Sequence, residues 1–98
     1  MYILGDIGNT ETKIYLVSPE CKIIKKLIFS SKNLNEIKLK NLLVSLKIDY
    51  KKLEKILFCS VVPKSFNIIK RFLSKKTNLK CHEVKSLNLK SLIKIKVN

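Results

Sequence analysis

A chain of 98 residues has room for one small domain or one piece of a larger one, burying roughly 60–65% of its unfolded surface. At 46% hydrophobic residues its composition is globular rather than disordered, and no apolar run approaches a membrane span. Its 21 basic residues against 7 acidic ones give a net charge of +14, a balance associated with polyanions, yet Arg71 is the sole arginine and nucleic-acid recognition favours the arginine fork.

The first element is a strand, Tyr2 to Ile7, and the second runs from Lys13 to Ser18; both are rich in β-branched and aromatic residues. They flank the polar string Asp6-Ile7-Gly8-Asn9-Thr10-Glu11-Thr12-Lys13, which makes the pair a hairpin. Two readings of this turn stand side by side. Gly-Asn is a common hairpin signal, and Asp6 is then an ordinary turn residue bonded to nearby amides. Alternatively, Asp6 ends the strand as a metal-directed carboxylate and Gly8 lets a bound group approach the backbone. In that case the short side chains of Asn9, Thr10 and Thr12 surround an anion-binding nest of amides, and Lys13 meets a phosphate.

Pro19-Glu20 turns the chain into a third strand, Lys22 to Phe29, which is too apolar for a solvent face throughout. Ser30 to Asn33 is a polar break suited to start a helix. Leu34, Ile37, Leu42, Leu43 and Leu46 then form its inward stripe, with Lys38, Lys40 and Lys47 towards water. Lys47 to Lys55 is a basic connector. Ile56-Leu57-Phe58-Cys59 is a buried strand that ends at Ser60-Val61-Val62-Pro63, and Pro63 opens a helix with Phe66, Ile69, Phe72 and Leu73 inward. Leu79 to Lys85 is a further strand. Ile93, Ile95 and Val97 alternate with Lys94 and Lys96 as in another, so the domain is expected to be truncated there. A three-strand antiparallel meander followed by strand-helix-strand units is an α/β arrangement with a mixed sheet.

The lysines are spread from Lys13 to Lys96 rather than gathered on one element. Specific nucleic-acid binding is therefore not expected, whereas weak attraction at low salt is. Cys21, Cys59 and Cys81 are widely spaced and odd in number, and they read as reduced cytoplasmic thiols. His82 has no second ligand at zinc spacing. Met1 leads almost directly into a strand, which leaves no room for an export signal.

Asp6-Ile7-Gly8-Asn9-Thr10-Glu11-Thr12-Lys13 strongly resembles the opening of the type III pantothenate kinases. Cys59-Ser60-Val61-Val62-Pro63 looks like that family's second landmark, a strand ending in a Ser-Val-Val-Pro turn before a helix. The first motif is also similar to the wider actin-like, sugar-kinase and Hsp70-like ATPase superfamily, and the spacing of the two motifs favours the narrower family. The resemblance covers essentially the whole chain, thinly between Asn33 and Lys55 and after Lys80.

The resemblance implies a ribonuclease H-like lobe spanning residues 1–98, incomplete at its C-terminus. It implies transfer of the γ-phosphate of ATP to pantothenate, the first step of coenzyme A synthesis, with Mg2+ and a monovalent cation (K+ or NH4+), by a cytoplasmic homodimer without membrane association. Carried over by position, Asp6 organises the Mg-nucleotide, the segment from Ile7 to Thr12 with Gly8, Asn9, Thr10 and Glu11 cradles the phosphates, and Lys13 neutralises them. Ser60 to Pro63 helps to form the pantothenate side of the cleft. The family's Gly-Ala-Asp-Arg segment, with the proposed base, and its second lobe have no counterpart here. Val84-Lys85-Ser86-Leu87 stands where a Gly-Pro-Gly-like turn is expected. Ile93 to Asn98 corresponds on this reading to the strand before the base, and the chain alone is expected to turn over pantothenate poorly or not at all. The rival expectations are a noncatalytic remnant or interaction module of the same fold, and a small basic nucleic-acid-binding protein.

Overall fold

The computed structural model describes residues 1–84. Strands β1 (Tyr2–Ile7), β2 (Glu11–Val17) and β3 (Ile23–Ser30) are followed by helix α1 (Glu36–Val44) and a short 3-10 turn (Tyr50–Lys52). Strand β4 (Lys55–Ser60), helix α2 (Pro63–Lys76) and strand β5 (Cys81–Glu83) complete the order. One five-stranded sheet has the order β3-β2-β1-β4-β5. The pairs β1–β2 and β2–β3 are antiparallel, and β1–β4 and β4–β5 are parallel. The mixed sheet with an antiparallel meander and parallel strand-helix-strand units is as the sequence predicts.

Strand β1 is the axis of the sheet. Ile3 and Ile7 face one side with Ile14, Leu16, Ile56 and Phe58, where Leu39, Leu43, Ile69, Phe72 and Leu73 of the helices complete the main core. Tyr2 and Leu4 face the other side with Val17 and Leu57. A strand buried on both faces needs the continuous apolar run Tyr2-Ile3-Leu4, not a strict alternation. Each fully buried aliphatic side chain of the main core, such as Leu39 at 0% exposure, stabilises the fold by about 1.5–3 kcal/mol relative to exposure.

Several boundaries differ from the sequence expectation. Strand β2 starts at Glu11 rather than Lys13, because Ile7 pairs with Thr12 and Ser30 with Glu11, which carries the ladder into the turn. Strand β3 is not buried throughout: Ile23, Ile24 and Ile28 are 54%, 44% and 47% exposed. It is the sheet edge, and only its alternate residues Leu27 and Phe29 reach the main core. The break at Ser30 to Asn33 does not start the helix. The cap is Asn35, whose side-chain oxygen accepts from the Lys38 amide at 2.8 Å. Counted from that cap, Leu39 and Leu43 point inward while Ile37 is 74% exposed.

The connector of lysines is anchored by Leu53, which is buried in the core. Helix α2 begins with Pro63 at its first turn and buries Phe66, Ile69, Phe72 and Leu73, as expected. Strand β5 covers only Cys81–Glu83 of the expected Leu79 to Lys85. The anticipated strand around Ile93 to Val97 and the segment Lys85-Ser86-Leu87 lie outside the described residues. Among the described residues, no helix is long and apolar enough to cross a membrane.

Candidate functional site

The parallel strands β1 and β4 end side by side, with Ile7 in register with Ser60. The Val61 amide donates to the Ile7 carbonyl at 3.0 Å, which ties the turn after β4 to the turn after β1. Both sequence motifs therefore lie at the carboxyl ends of parallel strands, the position where open α/β sheets receive ligands.

At this edge Asp6, Gly8, Asn9, Thr10, Glu11 and Lys13 line an open concavity of about 350 Å³. Asp6 and Lys13 are direct cross-strand partners, so the alternation of side chains sends both to the same face of the sheet. Asp6 is exposed and Lys13 half-buried. Ile7 and Thr12, the intervening pair, turn the other way into the interior, at 1% and 0% exposure. The turn thus separates into a polar group set facing the concavity and a buried pair beneath it.

The hairpin closes through Asn9 and Thr10, with the Gly8 amide donating to the Glu11 carbonyl at 2.9 Å. That amide is consumed by the turn itself, so the expected nest of successive amides does not include Gly8. Its φ is not positive either. Gly8 matters for space: a Cβ there would meet the Glu11 carbonyl at 3.2 Å, closer than most such contacts.

Sequence reasoning missed the residue beneath this turn. Ser31, just past the end of β3, donates from its hydroxyl to the Gly8 carbonyl at 2.7 Å. It lies 2.8 Å from the Thr12 hydroxyl, and its amide donates to the Thr10 carbonyl at 2.9 Å. The only signal in sequence was a serine pair at a strand end, which read as a helix start.

Cys59 is the register neighbour of Asp6 on β4. Burial foremost, then the carboxylates of Asp6 and Glu83, push its thiol above the usual range. At the second turn the Ser60 hydroxyl accepts from the Val62 amide and donates to the Val62 carbonyl, each at 3.0 Å. This local loop shapes the backbone just before α2. A hollow of about 380 Å³ also lies between α1 and α2, lined by Glu36, Ile37, Lys40, Phe72, Lys75 and Lys76. Its one carboxylate, Glu36, is bonded to Lys75 at 2.9 Å, and that hydrogen bond holds the Glu36 carboxyl below its usual range. The hollow offers apolar side chains and lysines, whereas the β1–β2 turn combines two exposed carboxylates, Asp6 and Glu11, with Lys13 and turn backbone.

Magnesium in phosphoryl-transfer sites is held by one or two carboxylates together with phosphate oxygens and water. An exposed Asp6 beside a tight polar turn fits that donor set, and its carboxylate is the group that would hold such an ion.

The sequence profile of the family described as type III pantothenate kinase matches residues 2–98. The chain is 54% identical over 98 residues to the type III pantothenate kinase of Pelagibacter ubique (strain HTCC1062), covering all of this chain and 40% of that protein. In fold, it aligns with a Porphyromonas gingivalis protein assigned as an N-acetylglucosamine kinase, at a TM-score of 0.63 and 14% identity. That alignment covers 89% of this chain and 35% of the other. A Listeria monocytogenes protein assigned as an N-acetylmannosamine kinase aligns at a TM-score of 0.46 and 17% identity, over 84% of this chain and 34% of its own. The described residues share the fold of the corresponding part of the Porphyromonas gingivalis protein. The profile match over nearly the whole length shows that the chain belongs to the type III pantothenate kinase family.

Proposed function

We propose that residues 1–98 form the amino-terminal, phosphate-binding lobe of an ATP-dependent pantothenate kinase. The observation that carries this reading is the placement of Asp6 and Lys13 opposite each other at one rim of the turn concavity, in a chain of this family. Phosphoryl transfer depends mainly on positioning and charge neutralisation, and those are the tasks this edge is equipped for. Asp6 orients the magnesium-bound phosphates, Lys13 offsets their charge, and Gly8, Asn9, Thr10 and Glu11 shape the backbone against them. Asp6 would hold a magnesium ion, which when bound would neutralise phosphate charge. Ile7 and Thr12 act from beneath by fixing the strands. The turn at Ser60 to Pro63, tied to Ile7, forms the neighbouring wall on the pantothenate side. The monovalent cation (K+ or NH4+), the homodimer and the cytoplasmic setting belong to this proposal through the family alone.

The chain spans 40% of the length of its curated relative. On this reading the base that takes the proton from the pantothenate hydroxyl belongs to a segment beyond Asn98. A general base contributes on the order of 10² to 10⁴-fold, so the 98-residue chain binds nucleotide and turns over poorly. Titration of the purified chain with Mg-ATP tests this, with Asp6→Asn alongside. Saturable binding that is weakened at least tenfold by Asp6→Asn is expected. Equal binding by both proteins would remove Asp6 from the site, and no binding to either would favour a noncatalytic remnant. Robust pantothenate-dependent ADP formation by this chain would overturn the placement of the base.

A further inference from the structure

The phosphate turn is held from below by a hydroxyl relay whose direction follows from its chemistry. The Gly8 carbonyl has no proton, so the Ser31 hydroxyl must donate to it across 2.7 Å. Having spent its proton there, Ser31 can only accept from the Thr12 hydroxyl, which lies 2.8 Å away. The order is therefore Thr12 hydroxyl to Ser31 hydroxyl to Gly8 carbonyl. The Ser31 amide adds a third tie, at 2.9 Å, to the Thr10 carbonyl. Thr12 is 0% and Ser31 7% exposed. In such a site consecutive hydrogen bonds polarise one another, and leaving either hydroxyl unpaired is costly.

We propose that Ser31 is a positioning residue for the phosphate turn: by grasping the Gly8 and Thr10 carbonyls it fixes the direction in which the Gly8–Asn9 and Thr10–Glu11 peptide groups face, and with them the amides of Asn9 and Glu11. Holding carbonyls beneath the turn turns the opposite ends of those peptide groups towards the concavity. The end of β3, an element with no residue in the concavity, thereby sets the site's affinity for a phosphate group. This rests on the reading of the turn as a nucleotide site, and the experiment separates the two.

The measurement pairs amide NMR spectra of the ligand-free chain with Mg-ATP titration, for wild type, Ser31→Ala and Thr12→Val. Ser31→Ala removes both side-chain bonds of the relay; Thr12→Val keeps the shape and removes only the first. The expected result is a displaced amide shift at Asn9, whose N–H shares the peptide group of the Gly8 carbonyl, and smaller ones at its turn neighbours in Ser31→Ala, with lesser displacements in Thr12→Val. Mg-ATP affinity falls about tenfold in Ser31→Ala and less in Thr12→Val. Leu43→Val, a core change far from the turn, controls for general loss of stability and is expected to leave affinity unchanged. Wild-type amide shifts in Ser31→Ala would overturn the relay. Shifted amides with unchanged affinity would overturn the positioning role. Should wild type itself fail to bind Mg-ATP, the nucleotide reading falls, while the ligand-free spectra still decide the relay. Should Ser31→Ala fail to fold, Thr12→Val supplies both readings.

Discussion

A single carboxylate at the end of β1 reaches two neighbours through the sheet, and its charge can be read at one of them. Asp6 stands in register with Lys13 on one side and with Cys59 on the other. Its negative charge, after burial, is among the causes that raise the Cys59 thiol. A raised thiol stays protonated at neutral pH and is a poor nucleophile, which makes its titration a reporter on Asp6. Replacing Asp6 with Asn removes a repulsion from the thiolate, so the Cys59 titration midpoint moves down. It remains above the ordinary value, because burial persists. Site-resolved alkylation followed by mass spectrometry across pH 7 to about pH 10 reads this directly, and an unmoved midpoint would show that the carboxylate does not act on the thiol. The residues facing the concavity were legible in sequence, because a turn brings together positions adjacent in the chain. Ser31 was not, because its side-chain partners lie 19 and 23 residues away and only strand pairing brings them together.

At the scale of elements, the β1–β4 pairing depends on a glycine that the motif reading passed over. Gly5 is in register with Phe58, and a Cβ at Gly5 would fall onto the Phe58 ring. The ring has nowhere to go: Phe58 is 0% exposed and packs against the Phe66 ring at a centroid distance of 6.1 Å. Gly5→Ala is therefore expected to destabilise the fold by about 1–3 kcal/mol, the usual cost of overpacking a filled core, despite alanine's lower backbone entropy cost. Urea unfolding followed by circular dichroism measures it, and a variant as stable as wild type would show that the ring is free to retreat. A glycine inside a strand signals a close approach in general but does not name the partner, since the β4 register is set by a crossover and not by the local sequence. The helix phase was lost for a related reason. Leu34, the first residue of the expected stripe, precedes the Asn35 cap and so lies outside the helix. Starting the count from Leu34 put Ile37 inside in place of Leu39. The α2 stripe was legible because Pro63 fixes where its count begins.

The whole molecule balances a large positive charge against an apolar sheet edge. Strand β3 ends the sheet order and exposes Ile23, Ile24 and Ile28. Its pairing with β2 slips between Leu16 and Val17, and such an irregularity twists an edge away from flat pairing. Lys25 does not guard the edge freely, because its ammonium bonds the Leu46 carbonyl at 2.9 Å. The net charge of +14 opposes the approach of a further copy to this edge, a long-range repulsion that salt removes once the screening length falls to about 8 Å near 0.15 M. Self-association through β3 should therefore grow as salt is raised, the reverse of an assembly held by ion pairs. Sedimentation velocity from ~20 mM to ~500 mM NaCl would show the mean mass rising with salt for wild type. Ile23→Lys, which places a charge on the edge at the end of β3 away from the β1–β2 turn, should hold the mass near that of the monomer. A mass indifferent to salt, or a variant that follows wild type, would exclude this edge as the point of contact. Rising mass in wild type alone would establish that the lobe's lysines, dispersed and nearly without arginine, act at this scale chiefly to keep an open sheet soluble.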